Sequence, residues 1–188
     1  MKFFSALVAV AVAAISIPVL AQTGQGSNAF DQKFVTMAMH ANNTEIDQAR
    51  AILANHPNAS IRLFANTMIR DHTTASSTLA AIAHSLNLSY PNSQVQTGSA
   101  TGAGTPPPAS GSTAMMSPAS ARSYIQLQVK EHQDAILLFQ NEARNGGSGQ
   151  LRTFAAETLP ILKAHLAMAN QYLASGTISP EATPTPAM

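Results

Sequence analysis

The sequence predicts an all-α protein: four long helices packed as a bundle of two helical hairpins. Two observations carry this. Four segments repeat apolar residues in alternating steps of three and four, the period of a helix that buries one stripe. The segments also fall into two pairs. A short breaker divides each pair, and a low-complexity stretch of about 30 residues rich in Gly, Ser, Thr and Pro separates the pairs.

Residues 1–21 read as a secretory signal peptide. They carry one lysine, an apolar run, the helix-breaking Pro18, and Val19-Leu20-Ala21 as a small-residue cleavage site before Gln22. The run from Phe3 to Leu20 is 18 residues, borderline for spanning a bilayer, so an uncleaved anchor is the alternative. No later segment is long and apolar enough to span. The expectation is a bacterial-type exported protein released into the periplasm, with residues 22–27 a flexible N-terminus.

The first helix is expected over about 28–56, ended by Pro57-Asn58, with Phe34, Ala38, Ala41, Glu45, Ala49 and Ile52 as its seam. The second, about 59–87, repeats Ile61, Ala65, Met68, His72, Ala75, Leu79, Ile82 and Leu86. Residues 88–117 form the linker, with no packing face. The third helix, about 118–145, carries Ile125, Val129, His132, Ile136, Phe139 and Ala143. After the breaker Gly146-Gly147-Ser148-Gly149, the fourth, about 150–175, carries Leu151, Ala155, Thr158, Leu162, His165, Ala169 and Tyr172. Residues 176–188 are expected to be a disordered tail. Pro160 should bend the fourth helix. Either the bend is merely tolerated, or the carbonyl it frees near Ala156 faces the bundle centre.

The two halves align without a gap at an offset of 90: Phe34 on Tyr124, Ile46 on Ile136, Asn55 on Asn145, Ile61-Arg62 on Leu151-Arg152, and Phe64-Ala65 on Phe154-Ala155. This indicates two similar hairpins. A 28-residue helix is about 42 Å long, and a flexible linker of this size spans about 30 Å and can stretch further. The linker can therefore cross the bundle and make the second and third helices parallel, as in ferritin-like bundles.

Composition excludes several function classes. A formal charge of +1, falling to 9 basic against 9 acidic residues once Lys2 leaves with the signal peptide, gives no field for nucleic acid. The absence of cysteine rules out disulfides, thiolate catalysis and lipidation at cysteine. No serine sits in a nucleophile elbow and no Gly-rich loop follows a strand, so hydrolase or nucleotide chemistry is not expected.

One feature can carry chemistry. Glu45, His72, His132 and His165 lie on the seams of four different helices. Each is 12 to 18 residues from the turn of its own hairpin, which places all four near mid-height in the core. Buried ionisable groups are costly unless paired, hydrogen-bonded or bound to metal. Three imidazoles and a carboxylate suit one zinc, copper or iron ion. The alternative is a buried hydrogen-bonded layer that fixes helix register. A dinuclear carboxylate centre would need Glu-x-x-His pairs, and Ile69 and Leu162 stand where the glutamates before His72 and His165 would be.

Asp71 and Glu131 adjoin His72 and His132 as second partners of the layer or as exposed charges. His40 and His84 fall off the seams and should be solvated, His56 should end the first helix, and Glu142 should lie at the surface. Met37, Met39, Met68, Met115, Met116 and Met168 allow a copper reading, against their ordinary role as core filler.

The chain resembles the exported bacterial family called domain of unknown function 4142, often labelled an outer-membrane protein. The matching stretches are Asp31 to Phe34, Glu45-Ile46, Phe64-Ala65, Met68, Asp71-His72-Thr73 and Pro91. In the second half they are Tyr124, Val129, His132, Ala135-Ile136, Phe139, Thr158-Leu159-Pro160, Leu162 and His165-Leu166. The resemblance implies a ferritin-like four-helix bundle and includes the same four polar positions. It departs before the third helix, where the low-complexity linker and Ser123-Tyr124 replace the ordered segment usual in the family. The sequence has none of the alternating strands of a barrel. Two functions remain open at this level: a periplasmic bundle holding one transition metal, or a non-enzymatic envelope protein with a structural polar layer and a protein partner.

Overall fold

A computed structural model describes residues 25–55, 57–90 and 118–179, with side chains from residue 29 in the first stretch and from residue 120 in the third. The signal-peptide segment, His56, Met115-Met116 and most of the linker lie outside the described residues. Four helices follow in order: α1 (Gln25–Leu53), α2 (Ala59–Ser85), α3 (Pro118–Asn145) and α4 (Gly149–Ser175). None of them is long and apolar enough to cross a membrane.

Local chemistry sets the ends. Asn58 caps α2, its side chain accepting from the Ile61 amide at 3.0 Å, and Ser148 caps α4, accepting from the Leu151 amide. Gly176, at φ 75°, closes α4 in the left-handed region that a side chain would resist. Two ends of α1 differ from the expectation. Nothing in Gln25-Gly26-Ser27 stops a helix, and α1 includes these residues. At the other end it closes at Leu53, where the Asn55 amide bonds the Ile52 carbonyl and tightens the last turn ahead of Pro57. Pro160 interrupts neither the helix nor the core: it and Ala156 are both exposed, so the bend is simply tolerated.

Within the bundle α1 lies against α2 and α3, and α4 lies against α2 and α3. Contacts fix the directions. Asp31 meets Gly147 while Gln48 meets Glu131, so α1 and α3 run antiparallel. Ser85 meets Gln150 while Asn58 meets Tyr172, so α2 and α4 do too. With each hairpin antiparallel, α2 and α3 are parallel on the bundle diagonal, and the chain leaves α2 at one end and enters α3 at the other. This is the ferritin-like arrangement.

The core divides into two apolar clusters. One holds Phe34, Val35, Met39, Leu79, Phe139, Leu151, Phe154 and Leu162. Its rings meet edge to face, Phe34 to Phe139 at 5.1 Å between centroids. The other holds Ile61, Phe64, Met68, Tyr124, Ile125, Met168 and Tyr172. Burying each of these larger side chains contributes roughly 1.5–3 kcal/mol.

The offset of 90 is visible in three dimensions. The caps Asn58 and Ser148 obey it. So do Arg62 donating to the Pro57 carbonyl and Arg152 donating to the Gly147 carbonyl. The ring contact Phe34–Phe154 maps onto Tyr124–Phe64. Leu88 and Ile178, two residues past the caps of α2 and α4, are both buried. That pair corrects two expectations: residues 88–90 and 176–179 pack on the bundle. Gln32 bonds both the amide and the carbonyl of Ser89, and the Ile178 amide donates to Ser60 Oγ at 3.1 Å.

Candidate metal centre

The two apolar clusters leave a gap at mid-height, and Glu45, His72, His132 and His165 fill it, one from each helix. All four are at most 3% exposed. The imidazole centroids stand 5.3–5.7 Å apart. His72, His132 and His165 each present one ring nitrogen so that the three lie within 4.8 Å of one another.

Hydrogen bonds on the outer side of His132 and His165 decide which nitrogen carries the proton. His132 Nδ1 lies 2.9 Å from the Gln128 carbonyl, which can only accept, so the proton sits on Nδ1 and Nε2 bears the lone pair. His165 Nε2 lies 2.9 Å from Asp71 Oδ2, another acceptor, which leaves the lone pair on Nδ1. His72 stands between Asn42 and Glu45, with Nδ1 2.9 Å from Asn42 Oδ1 and Nε2 2.7 Å from Glu45 Oε2.

The inner nitrogens of His132 and His165 are therefore bare, and the three rings converge. His132 Nε2 and His165 Nδ1 are 3.2 Å apart. Glu45 Oε2 lies 2.7 Å from His72 Nε2 and 3.9 Å from His132 Nε2. Neither Glu45 Oε2 nor His72 Nε2 has a hydrogen-bond partner despite that proximity. The two atoms are close but not aligned for a hydrogen bond. Adjacent donors around a tetrahedral ion with bonds of ~2.0–2.1 Å stand about 3.3 Å apart, and these separations bracket that value.

The electrostatics follow from burial. Burial pushes the His132 imidazole down to about 4, against the attraction of Glu45. Burial likewise lowers His165, although Asp71 opposes it. For Glu45 burial acts upward, but the His72 contact and the surrounding imidazoles outweigh it and hold the carboxyl below its ordinary range. Asp71 behaves the same way: His165 and Arg70 overcome burial, and Arg70 grips it through Nε at 2.6 Å and Nη2 at 3.1 Å. Burial thus pushes His132 and His165 toward the neutral form beside a carboxylate held toward the ionised one, the protonation states a cation needs.

Asp71 takes the partner role expected for it, though toward His165 rather than its neighbour His72. Glu131 does not bond His132. Its oxygens accept from Gln48 and Gln128 at 2.8 Å, which braces the stretch of α3 whose carbonyl holds His132. Burial raises its carboxyl. His40 and His84 are exposed, as their positions off the seams imply.

Sequence reasoning missed Asn42 and Gln128. Each had a signal: Asn42 stands at the offset-90 counterpart of His132, and Gln128 lies one turn before His132 on the same face. Glu142 is the outright correction. It is fully buried at the end of the bundle, facing Asp31, because the α3–α4 turn folds Gly146 directly over it.

The family profile described as Domain of unknown function (DUF4142) matches residues 18–172, most of the chain. The chain belongs to this family. No curated protein and no solved structure matches it. The DUF4142 assignment agrees with the four-helix architecture, and its description carries no activity. Among the described residues of this DUF4142 chain, the His72–His132–His165 set is the one group of three or more His, Asp or Glu side chains placed to hold a metal ion.

Proposed function

We propose that this chain is an exported, periplasmic bundle that holds one transition-metal ion, zinc, copper or iron, through Glu45, His72, His132 and His165. One observation carries the reading. Three imidazoles are held on their outer sides by Gln128, Asp71 and Asn42, so that three ring nitrogens within 4.8 Å of one another and an unsatisfied carboxylate oxygen converge in the core. Orienting partners of this kind are what fix a histidine's tautomer in metal sites. Four protein donors make a closed set, which favours holding a metal over turning over a substrate. The broken Glu-x-x-His pattern argues against a dinuclear centre. Export rests on the leader-like residues 1–21 alone.

The test is metal content of the chain from residue 22, purified without a His tag, then titration of the apo form with zinc, copper and iron. The expected result is one equivalent, with affinity lowered at least about tenfold by His72→Ala or His165→Ala. No metal, and no thermal shift with any of the three, would leave a structural polar layer and turn the search toward an envelope protein partner.

A further inference from the structure

The centre is sealed above and below by apolar clusters, so an ion must reach it sideways, between helices. Two lateral cavities of about 290 Å³ each touch the layer. The one between α2 and α4 reaches His72 and His165 past a mostly apolar wall that includes Ala75, Phe154 and Ile161, with threonines and a single exposed carboxylate, Glu157, at its mouth. Its carboxylate nearest the layer, Asp71, is already held by Arg70 and His165. The one between α1 and α3 differs in chemistry. Exposed Met37, His40 and Asp134 stand at its mouth, half-buried Glu131 along its wall, and buried Glu45 at its floor. A thioether, an imidazole and three carboxylates, Asp134 paired with exposed Lys130 and Glu131 accepting from Gln48 and Gln128, form a graded series of cation ligands from solvent to core. Glu45 ends the series with an oxygen that no donor satisfies.

We propose that the α1–α3 cavity is the route by which a divalent cation enters and leaves the centre, with His40, Met37 and Asp134 as its outer capture site. This rests on the metal-binding reading above and adds a path to it. Charge at the mouth raises the local cation concentration and guides it inward. A route residue speeds arrival and departure alike, because the bound and free states are unchanged by the path between them.

The experiment is stopped-flow loading of the apo protein with Co(II), read by its visible absorption, followed by extraction with excess chelator. The triple variant Met37→Leu, His40→Ala, Asp134→Asn alters exposed positions only. It should slow loading about threefold or more, slow extraction in proportion, and leave the equilibrium affinity unchanged. Wild-type loading should also slow as ionic strength rises, and the triple variant should lose most of that dependence. Wild-type rates in the triple variant, or slowed loading in Thr78→Leu on the α2–α4 side instead, would overturn the route while leaving the centre in place. A wild-type protein that takes up no cobalt, zinc, copper or iron would overturn the centre itself.

Discussion

His132 Nε2 and His165 Nδ1 face each other at 3.2 Å with no hydrogen between them, because each ring's only proton is committed to an acceptor on its far side. Two bare lone pairs at that distance repel. A cation between them turns the repulsion into two bonds.

Asp71 sets the His165 tautomer without facing the centre. Asp71→Asn should lower zinc or cobalt affinity about 10–100-fold while stoichiometry stays at one. Titration calorimetry decides it. An unchanged affinity would show that His165 is oriented by packing alone.

The metal-free protein should weaken in mild acid. Burial holds the folded His132 near 4 and also lowers His165, whereas the unfolded chain protonates both near 6.5. The folded values lie below the unfolded ones. The unfolded state therefore binds more protons, and the contribution is full above about 6.5 and fades as pH falls toward 4. Denaturant melts of the apo form should lose on the order of 2–3 kcal/mol between pH 7 and 4.5. A flat profile would mean that the imidazoles are not held neutral.

Glu142 should act in the opposite direction. Burial first, and then the charge of Asp31, raise its carboxyl to about 7. A folded value above the unfolded one gives a contribution that is full below about 4.5 and lost as pH rises through 7. Glu142→Gln should be more stable than wild type at pH 8, by on the order of 1–2 kcal/mol. That is less than the whole shift implies, since the pair lies at the bundle end near solvent. The gain should vanish at pH 5, and equal thermal midpoints at pH 8 would count against the carboxyl pair.

Gly146 is required by space. A Cβ there would stand 2.2 Å from Glu142 Oε1 and 2.8 Å from the Glu142 carbonyl. Gly146→Ala should cost roughly 1–3 kcal/mol in chemical denaturation. Adding Glu142→Ala should recover part of the loss, because the side-chain clash is removed and the backbone clash remains. Strict additivity of the two changes would show that they do not share this space.

The helices and the central layer were legible because each seam repeats at six or more positions and the histidines sit on it. Periodicity places Glu45, His72, His132 and His165 at one height without knowledge of the topology, and the linker's reach made the parallel α2–α3 pair accessible. What periodicity cannot report is rotation about a helix axis finer than one residue. Asn42, Gln128 and Glu142 lie at the edges of their seams, and the partner helix decides whether an edge is covered. Glu142 is covered because Asp31 accepts the Gly147 and Ser148 amides at 2.7 and 2.8 Å and draws α1 over the α3–α4 turn. The low-complexity composition around Leu88 and Ile178 likewise hid two apolar side chains that plug the ends of the helices before them.

Each hairpin contributes exactly half of the inner set: Glu45 and His72 come from the first, His132 and His165 from the second. A hairpin alone offers one or two donors on adjacent helices, too few to close around an ion. The two halves meet mainly through the antiparallel α1–α3 and α2–α4 faces. The layer therefore lies across the junction of the two hairpins. The chain could be cut between α2 and α3 and the two pieces mixed, and a complete centre would report that they had found each other in the native register.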